Sequence, residues 1–165
     1  MISEVSILNI WGSLPGKILM TLLLSMTPIL ELRGAIPIAT ANGLNLYVTI
    51  VISVIGNLIP VPFIILFIRR IFGWMRTKSE RLNGVVARLE TRAAKKSELV
   101  YRYAFWGIVV LVAIPLPGTG AWTGALVAAM LEMRLKTAFP AIALGVLIAG
   151  IIVSFVTYGV GAILF

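Results

Sequence analysis

The sequence predicts an all-α integral membrane protein made of two inverted repeats. Each repeat is a re-entrant helical hairpin plus a full transmembrane helix, and an amphipathic cytoplasmic helix joins the two. Three observations predict this. The 165 residues are 60% hydrophobic and 12% charged, where a soluble domain carries about 25% charged residues. No charge occurs from Ile18 to Leu30 or from Gly34 to Ile68. The apolar segments follow one order, short, short, long, and that order occurs twice.

Residues 1–13 space Ile2, Val5, Leu8 and Trp11 three to four apart among polar residues. That spacing suits a short helix lying in the membrane interface. It also suits a frayed tail. Pro15 and Gly16 are expected to end it. The stretch lacks a basic start and a small-residue cleavage site, so it does not read as a signal peptide. Ile18 to Leu30 is apolar, but as a helix it would be only about 20 Å long at 1.5 Å per residue. A hydrocarbon core is about 30 Å thick. A turn over Glu31 to Gly34 and a second short piece, Ala35 to Ala41, follow. Pro28 and Pro37 are expected to interrupt helix at either side. Asn42 and Gly43 signal a turn. Leu44 to Ile68 is a full span, with a kink expected at Pro60 and Pro62.

The linker over 71–100 is basic. From Arg69 to Arg102 there are ten basic residues and three acids, seven of the chain's net eight positive charges. In so apolar a chain this block reads as cytoplasmic by the positive-inside rule, not as a nucleic-acid patch. Thr77 and Glu80 have capping-box spacing. Leu82, Val85, Val86, Leu89 and Ala93 then give an amphipathic helix that lies on the membrane or under the bundle. Tyr101 to Ile114 and Ala121 to Leu131 are the short pieces of the second half, broken at Pro115, Pro117, Gly118 and Gly120. Thr137 to Tyr158 is the last full span, ended by Gly159 and Gly161. The chain is thus one membrane domain over 1–165, with repeats at about 14–70 and about 101–160.

The repeats correspond in layout and at a few glycine and leucine positions. Gly34 matches Gly124, Leu46 matches Leu135 and Gly56 matches Gly145. If each short pair is a hairpin, each half crosses once and the halves have opposite topology. If each pair is one broken span, there are four crossings. Charge discriminates between them. The hairpin reading puts Arg134 and Lys136 on the side of the basic linker and the uncharged 42–45 loop outside, which obeys the positive-inside rule. Broken helices meeting at the midplane of inverted repeats are a secondary-transporter pattern.

Inventory excludes much chemistry. The chain has no cysteine, histidine or aspartate, and its six acids are all glutamates. That removes a histidine triad, a thiol or histidine metal site and an aspartyl-phosphate, and it implies no cofactor and no enzyme. Two charges stand out instead. Glu31 and Arg33 sit deep in an apolar stretch, where ionisable groups are costly and serve function by default. On a regular helix they point about 200° apart, so they are no simple pair. The plainer reading is an ion pair that holds the turn. The functional reading is an anion site, with Arg33 as its fork and Glu31 as partner and proton-titrating group. Gly118, Thr119 and Gly120 precede a helix whose first N–H groups suit a phosphate or carboxylate. No lysine follows, so this is not a P-loop. Asn57 at mid-span and Trp122 by the second break are further lining candidates; a helix–helix hydrogen bond and plain packing are the alternatives.

The motifs ELRGAIP (31–37) and PLPGTGAWTGAL (115–126) together resemble the small multi-drug export protein family of prokaryotes, over nearly the whole chain. That family is similar in layout to the DedA superfamily. The resemblance implies paired re-entrant hairpins that move lipid phosphates, such as undecaprenyl phosphate, across the inner membrane with proton coupling. It gives Glu31 the acidic hairpin role and Arg33 the arginine role. The second hairpin departs from the DedA pattern, having no acid and no arginine before Arg134. The expected site is therefore Glu31, Arg33, Gly34, Asn57, Pro117, Gly118, Thr119, Gly120 and Trp122. The expected partners are an anionic phospholipid or polyprenyl phosphate and a second copy of the chain, with no nucleic acid. A cation exporter using Glu31 as counter-charge and a non-transporting scaffold are the competing functions.

Overall fold

The computed structural model describes residues 12–78, 97–116 and 118–164. All regular structure among them is helical: α1 (Leu14–Met26), α2 (Glu31–Ala41), α3 (Leu46–Leu58), α4 (Pro60–Lys78), α5 (Ser97–Ala113), α6 (Ala121–Met130) and α7 (Leu135–Leu164). Two stretches are long and apolar enough to cross a membrane, Leu46–Ile71 and Leu135–Gly159. Their outer faces expose Val51, Phe63, Phe67 and Phe155, as contact with lipid chains allows.

Local chemistry explains the ends. Ser13 caps α1 by accepting from the Gly16 N–H at 3.2 Å. Pro15 lies in the first turn, where its missing N–H has no partner to lose. The Pro15–Gly16 pair therefore opens α1; the segment over 1–11 that it was expected to end lies outside the described residues. α1 stops at Thr27, which is extended because Pro28 disfavours helical backbone in the residue before it. The expected turn over Glu31–Gly34 is also corrected. The turn lies at residues 27–30, and Glu31 to Gly34 form the first turn of α2. Pro37 sits inside α2 without interrupting it. It leaves unmade only the single hydrogen bond to the Arg33 carbonyl.

Gly43, at φ +76°, makes the tight reversal, and Asn45 caps α3 by accepting from Tyr47 N–H at 3.0 Å. α3 and α4 meet at Pro60, where the proline kink was expected. α4 then runs to Lys78, so Thr77 is helical and not an N-cap. The rest of the linker helix and the 1–11 segment lie outside the described residues. α7 starts at Leu135 as α3 starts at Leu46. It accommodates Pro140 and continues through Gly159 and Gly161, which do not end it as expected.

The packing has a two-part pattern. α1 packs on α2 and α3, and α5 packs on α6 and α7. The returning arms cross over: α2 also packs on α7, and α6 on α4. Where helices meet, side chains are small; Ala35, Ala39, Ala121, Ala125, Ala138 and Ala141 are fully buried. Within lipid, association depends on such close van der Waals approach. Gly56 and Gly145 serve it in parallel. A Cβ on Gly56 would lie 2.7 Å from the Leu22 carbonyl oxygen on α1, and one on Gly145 would lie 2.9 Å from the Val109 carbonyl oxygen on α5.

The start of α1 and the end of α2 lie close together. A Cβ built on Gly43 would lie 3.6 Å from Lys17 Nζ. At the opposite end of the α3–α4 span, Arg69 donates to the Glu132 carbonyl at 2.9 Å and to that of Met133. The loop after α6 thus sits at the end where the basic linker begins.

Candidate functional site

The two helix breaks meet, and the charges of the first hold the second together. Glu31 opens α2 in a left-handed conformation, φ +49°, and is only 5% exposed. Such backbone in a non-glycine residue costs on the order of 1–3 kcal/mol and persists only where surroundings impose it. Here the strain aims the carboxylate at the start of α6. Trp122 N–H donates to Glu31 Oε1 at 3.3 Å. Gly120, the residue before α6, has φ +152° and offers no side-chain cap. A Cβ there would lie 1.9 Å from Glu31 Oε2. The glycine is required twice, by backbone and by space. The Glu31 carboxylate occupies the α6 N-terminus, where a negative charge meets unpaired N–H groups and the positive end of the helix dipole.

Arg33 does the converse. Its guanidinium donates to the carbonyls of Leu116, of Ile114 at 3.1 Å and of Val112 at 3.5 Å. These carbonyls lie at and just beyond the C-terminal end of α5, the negative end of its dipole. Arg33 Nη2 also donates to Thr119 Oγ1 at 3.1 Å. The Thr119 hydroxyl in turn reaches the Ile114 and Leu116 carbonyls at 2.8 and 2.9 Å. Arg33 Nε is buried and has no partner. The residues two apart on α2 thus go to the two ends of one break, a cation at the carbonyl end and an anion at the amide end.

Between the breaks lies a cleft of about 360 Å³. Glu31, Arg33, Gly34, Gly118 and Thr119 line it, with Pro28, Ile29, Leu30, Pro115, Leu116 and Thr123. The structure therefore brings five of the expected residues into one wall. Gly120 and Trp122 stand behind Glu31, and the Trp122 indole donates to the Met26 carbonyl at 3.2 Å, tying α6 to the end of α1. Pro117 lies outside the described residues. Asn57 is 1% exposed on α3 and does not line the cleft. Thr123 was not anticipated. Its hydroxyl closes the glycine turn by donating to the Gly118 carbonyl at 2.8 Å. A threonine in the first turn of a helix that follows a glycine turn was the available signal.

Among the described residues, no group of acidic, histidine or cysteine side chains could hold a metal ion. Residues 31–152 match the sequence model of a family described as "Putative small multi-drug export protein". No curated protein and no solved structure matches the chain.

Proposed function

Because the chain belongs to the small multi-drug export protein family, we propose that it is a secondary transporter whose substrate passes through the cleft between the two breaks. The observation that carries this is the placement of Glu31 at the α6 N-terminus on the wall of that cleft. A helix N-terminus is a ready anion site, and here a movable, protonatable carboxylate holds it. Protonation removes the charge from Glu31 and weakens its hold on the Trp122 N–H. An anionic head group then takes the place of the carboxylate, close to the guanidinium of Arg33. One proton and one anion thus bind together, in a cleft whose charged lining residues are Glu31 and Arg33. The preferred substrate is an anionic amphiphile such as a lipid phosphate, its head in the cleft and its chain in the surrounding lipid. A cleft of this size weighs against a purely structural scaffold.

The membrane arrangement belongs to the same proposal: two hairpins that enter and return on one side, and one crossing per half. The approach of Lys17 to Gly43 and of Arg69 to the 132–133 loop supports it. So does the reciprocal packing of each returning arm on the other half's long helix. A second reading, export of a cationic amphiphile with Glu31 as counter-charge, is favoured by the family description and by the engagement of the Arg33 terminal nitrogens with carbonyl oxygens.

Transport in proteoliposomes separates the two. Under the anion reading, a fluorescent lipid phosphate crosses faster as pH falls, Glu31→Gln flattens that dependence, and Arg33→Lys abolishes transport. Movement of a cationic dye with the lipid phosphate excluded would overturn the anion reading in favour of the second. A double Glu31→Leu/Arg33→Leu variant that still transports would remove both residues from the mechanism.

A further inference from the structure

The interface between α1 and α3 is polar where its counterpart in the second half is apolar. Thr49, Ser53 and Asn57 recur every four residues on α3 and are 0, 0 and 1% exposed. On α1, which packs on α3, Thr21 and Ser25 are 0% exposed. The glycine approach fixes the correspondence, since a Cβ on Gly56 would meet Ser25 Cβ at 2.9 Å and one on Gly145 would meet Val112 Cβ at 2.7 Å. Gly56 to Gly145 is 89 residues and Ser25 to Val112 is 87. Those offsets carry Thr49, Ser53 and Asn57 to Ala138, Ile142 and Val146, and Thr21 to Ile108. All of these equivalents are buried in the apolar core. The same packing is therefore built without polar atoms in the second half, and the fold does not need them in the first.

The polar atoms are also not spent. Thr21, Ser25, Thr40, Ser154 and Thr157 each donate to the carbonyl four residues earlier. Thr49 Oγ1, Ser53 Oγ and Asn57 Oδ1 are buried and have no hydrogen-bond partner. Buried polar groups are almost always satisfied, and where protein supplies no partner, water is the group that bridges them. The line covers about 12 Å at 1.5 Å per residue. One end lies toward Lys17 and Gly43. The other lies by Ser25, next to Met26, whose carbonyl accepts from Trp122. The Trp122 backbone N–H donates in turn to Glu31.

We propose that the α1–α3 interface, closed in this state, opens to admit a file of water molecules that carries protons between the Lys17–Gly43 end of the first hairpin and Glu31. The inference rests on the reading of Glu31 as the proton-coupled group. Each water passes one proton to the next, and the last O–H bond forms on the Glu31 carboxylate, so one proton moves and nothing else changes. Arg33 is the charged group that faces Glu31. Residues 18–30, 34–68, 103–131 and 137–165 contain no Asp, Glu, Lys or Arg, so no other helix brings a charge to this route. Lys17 stands at its outer end.

The chain has no cysteine, which permits a direct test on the full protein in lipid vesicles. Ser53→Cys and its second-half counterpart Ile142→Cys are exposed to Ag⁺, and the remaining thiol is counted after denaturation. A hydrated file predicts blocking of Ser53→Cys at least tenfold faster than Ile142→Cys. Equal rates overturn the proposal, whether both are slow in a dry interface or both are fast through opening of the fold. A second arm measures proton-driven transport in Thr49→Val/Ser53→Ala, which keeps side-chain volume and copies the apolar second half. A roughly tenfold loss with unchanged melting temperature is expected. Wild-type proton-driven transport by this variant, with the pH dependence lost in Glu31→Gln, places the proton path elsewhere and overturns the proposal. Transport by Glu31→Gln with the wild-type pH dependence defeats the reading of Glu31 itself, and proton delivery to it falls with that reading. The Ag⁺ rates still report whether the interface is wet.

Discussion

Gly120→Ala is the sharpest probe of the joined breaks. At φ +152° and ψ −165° the backbone of residue 120 is in a region held almost only by glycine, and forcing another residue there costs about 1–3 kcal/mol. The new methyl would also lie 1.9 Å from Glu31 Oε2 and 2.7 Å from Oε1. The carboxylate must leave the α6 N-terminus, losing hydrogen bonds to a charged group worth about 1.5–3 kcal/mol. The sum is a destabilisation of about 2.5–6 kcal/mol. The two parts separate in a double-mutant cycle with Glu31→Ala. Without the carboxylate, Gly120→Ala retains only its backbone cost, so a coupling of about 1.5–3 kcal/mol is expected. Unfolding of the four proteins in mixed micelles, followed by helical circular dichroism against denaturant, measures it. Additivity within about 0.5 kcal/mol would refute the placement of Glu31 against Gly120 and the mechanism that depends on it.

Arg33→Lys is expected to lower stability by about 1–3 kcal/mol, because an ammonium cannot span the carbonyls of Ile114 and Leu116 and the Thr119 hydroxyl; thermal unfolding in detergent reads the change. Gly56→Ala and Gly145→Ala should each destabilise by about 1–3 kcal/mol through overpacking against the Leu22 and Val109 carbonyls, whereas Gly107→Ala, with nothing within 4 Å, should gain up to about 1 kcal/mol of helix propensity. A loss at Gly107 equal to that at Gly56 would argue against the close α1–α3 approach. Asn45→Cys and Arg134→Cys are both at exposed positions and should label from opposite sides of a sealed vesicle. Labelling from the same side would mean four crossings and no hairpins.

Some of this was legible before any fold was known, and the physical reason is locality. Apolar length and the scarcity of charge give a membrane protein whatever the tertiary arrangement. Asn42–Gly43 and Gly118–Gly120 mark reversals because their backbone demands are met within a few residues. Helix ends were harder, since proline acts by position. Pro15 opens α1 and Pro37 is absorbed in α2, while Pro28 ends α1 through the residue before it. The free energy of lipid burial lets α7 continue through Gly159 and Gly161, where glycine in water would favour an end.

Glu31 and Arg33 announced themselves in the sequence by the cost of charge at depth. Their partners did not. Glu31 reaches Trp122 across 91 residues, and Arg33 reaches Leu116 across 83. No local rule connects a carboxylate on one hairpin to the amides of another. The same holds for Thr49 and Ser53, whose spacing on α3 is visible in the chain but whose lack of partners is not. The sequence by itself determined which groups are too costly to be idle. Only the tertiary structure decided what they face, because that depends on two halves of the chain packing arm to span across the whole molecule.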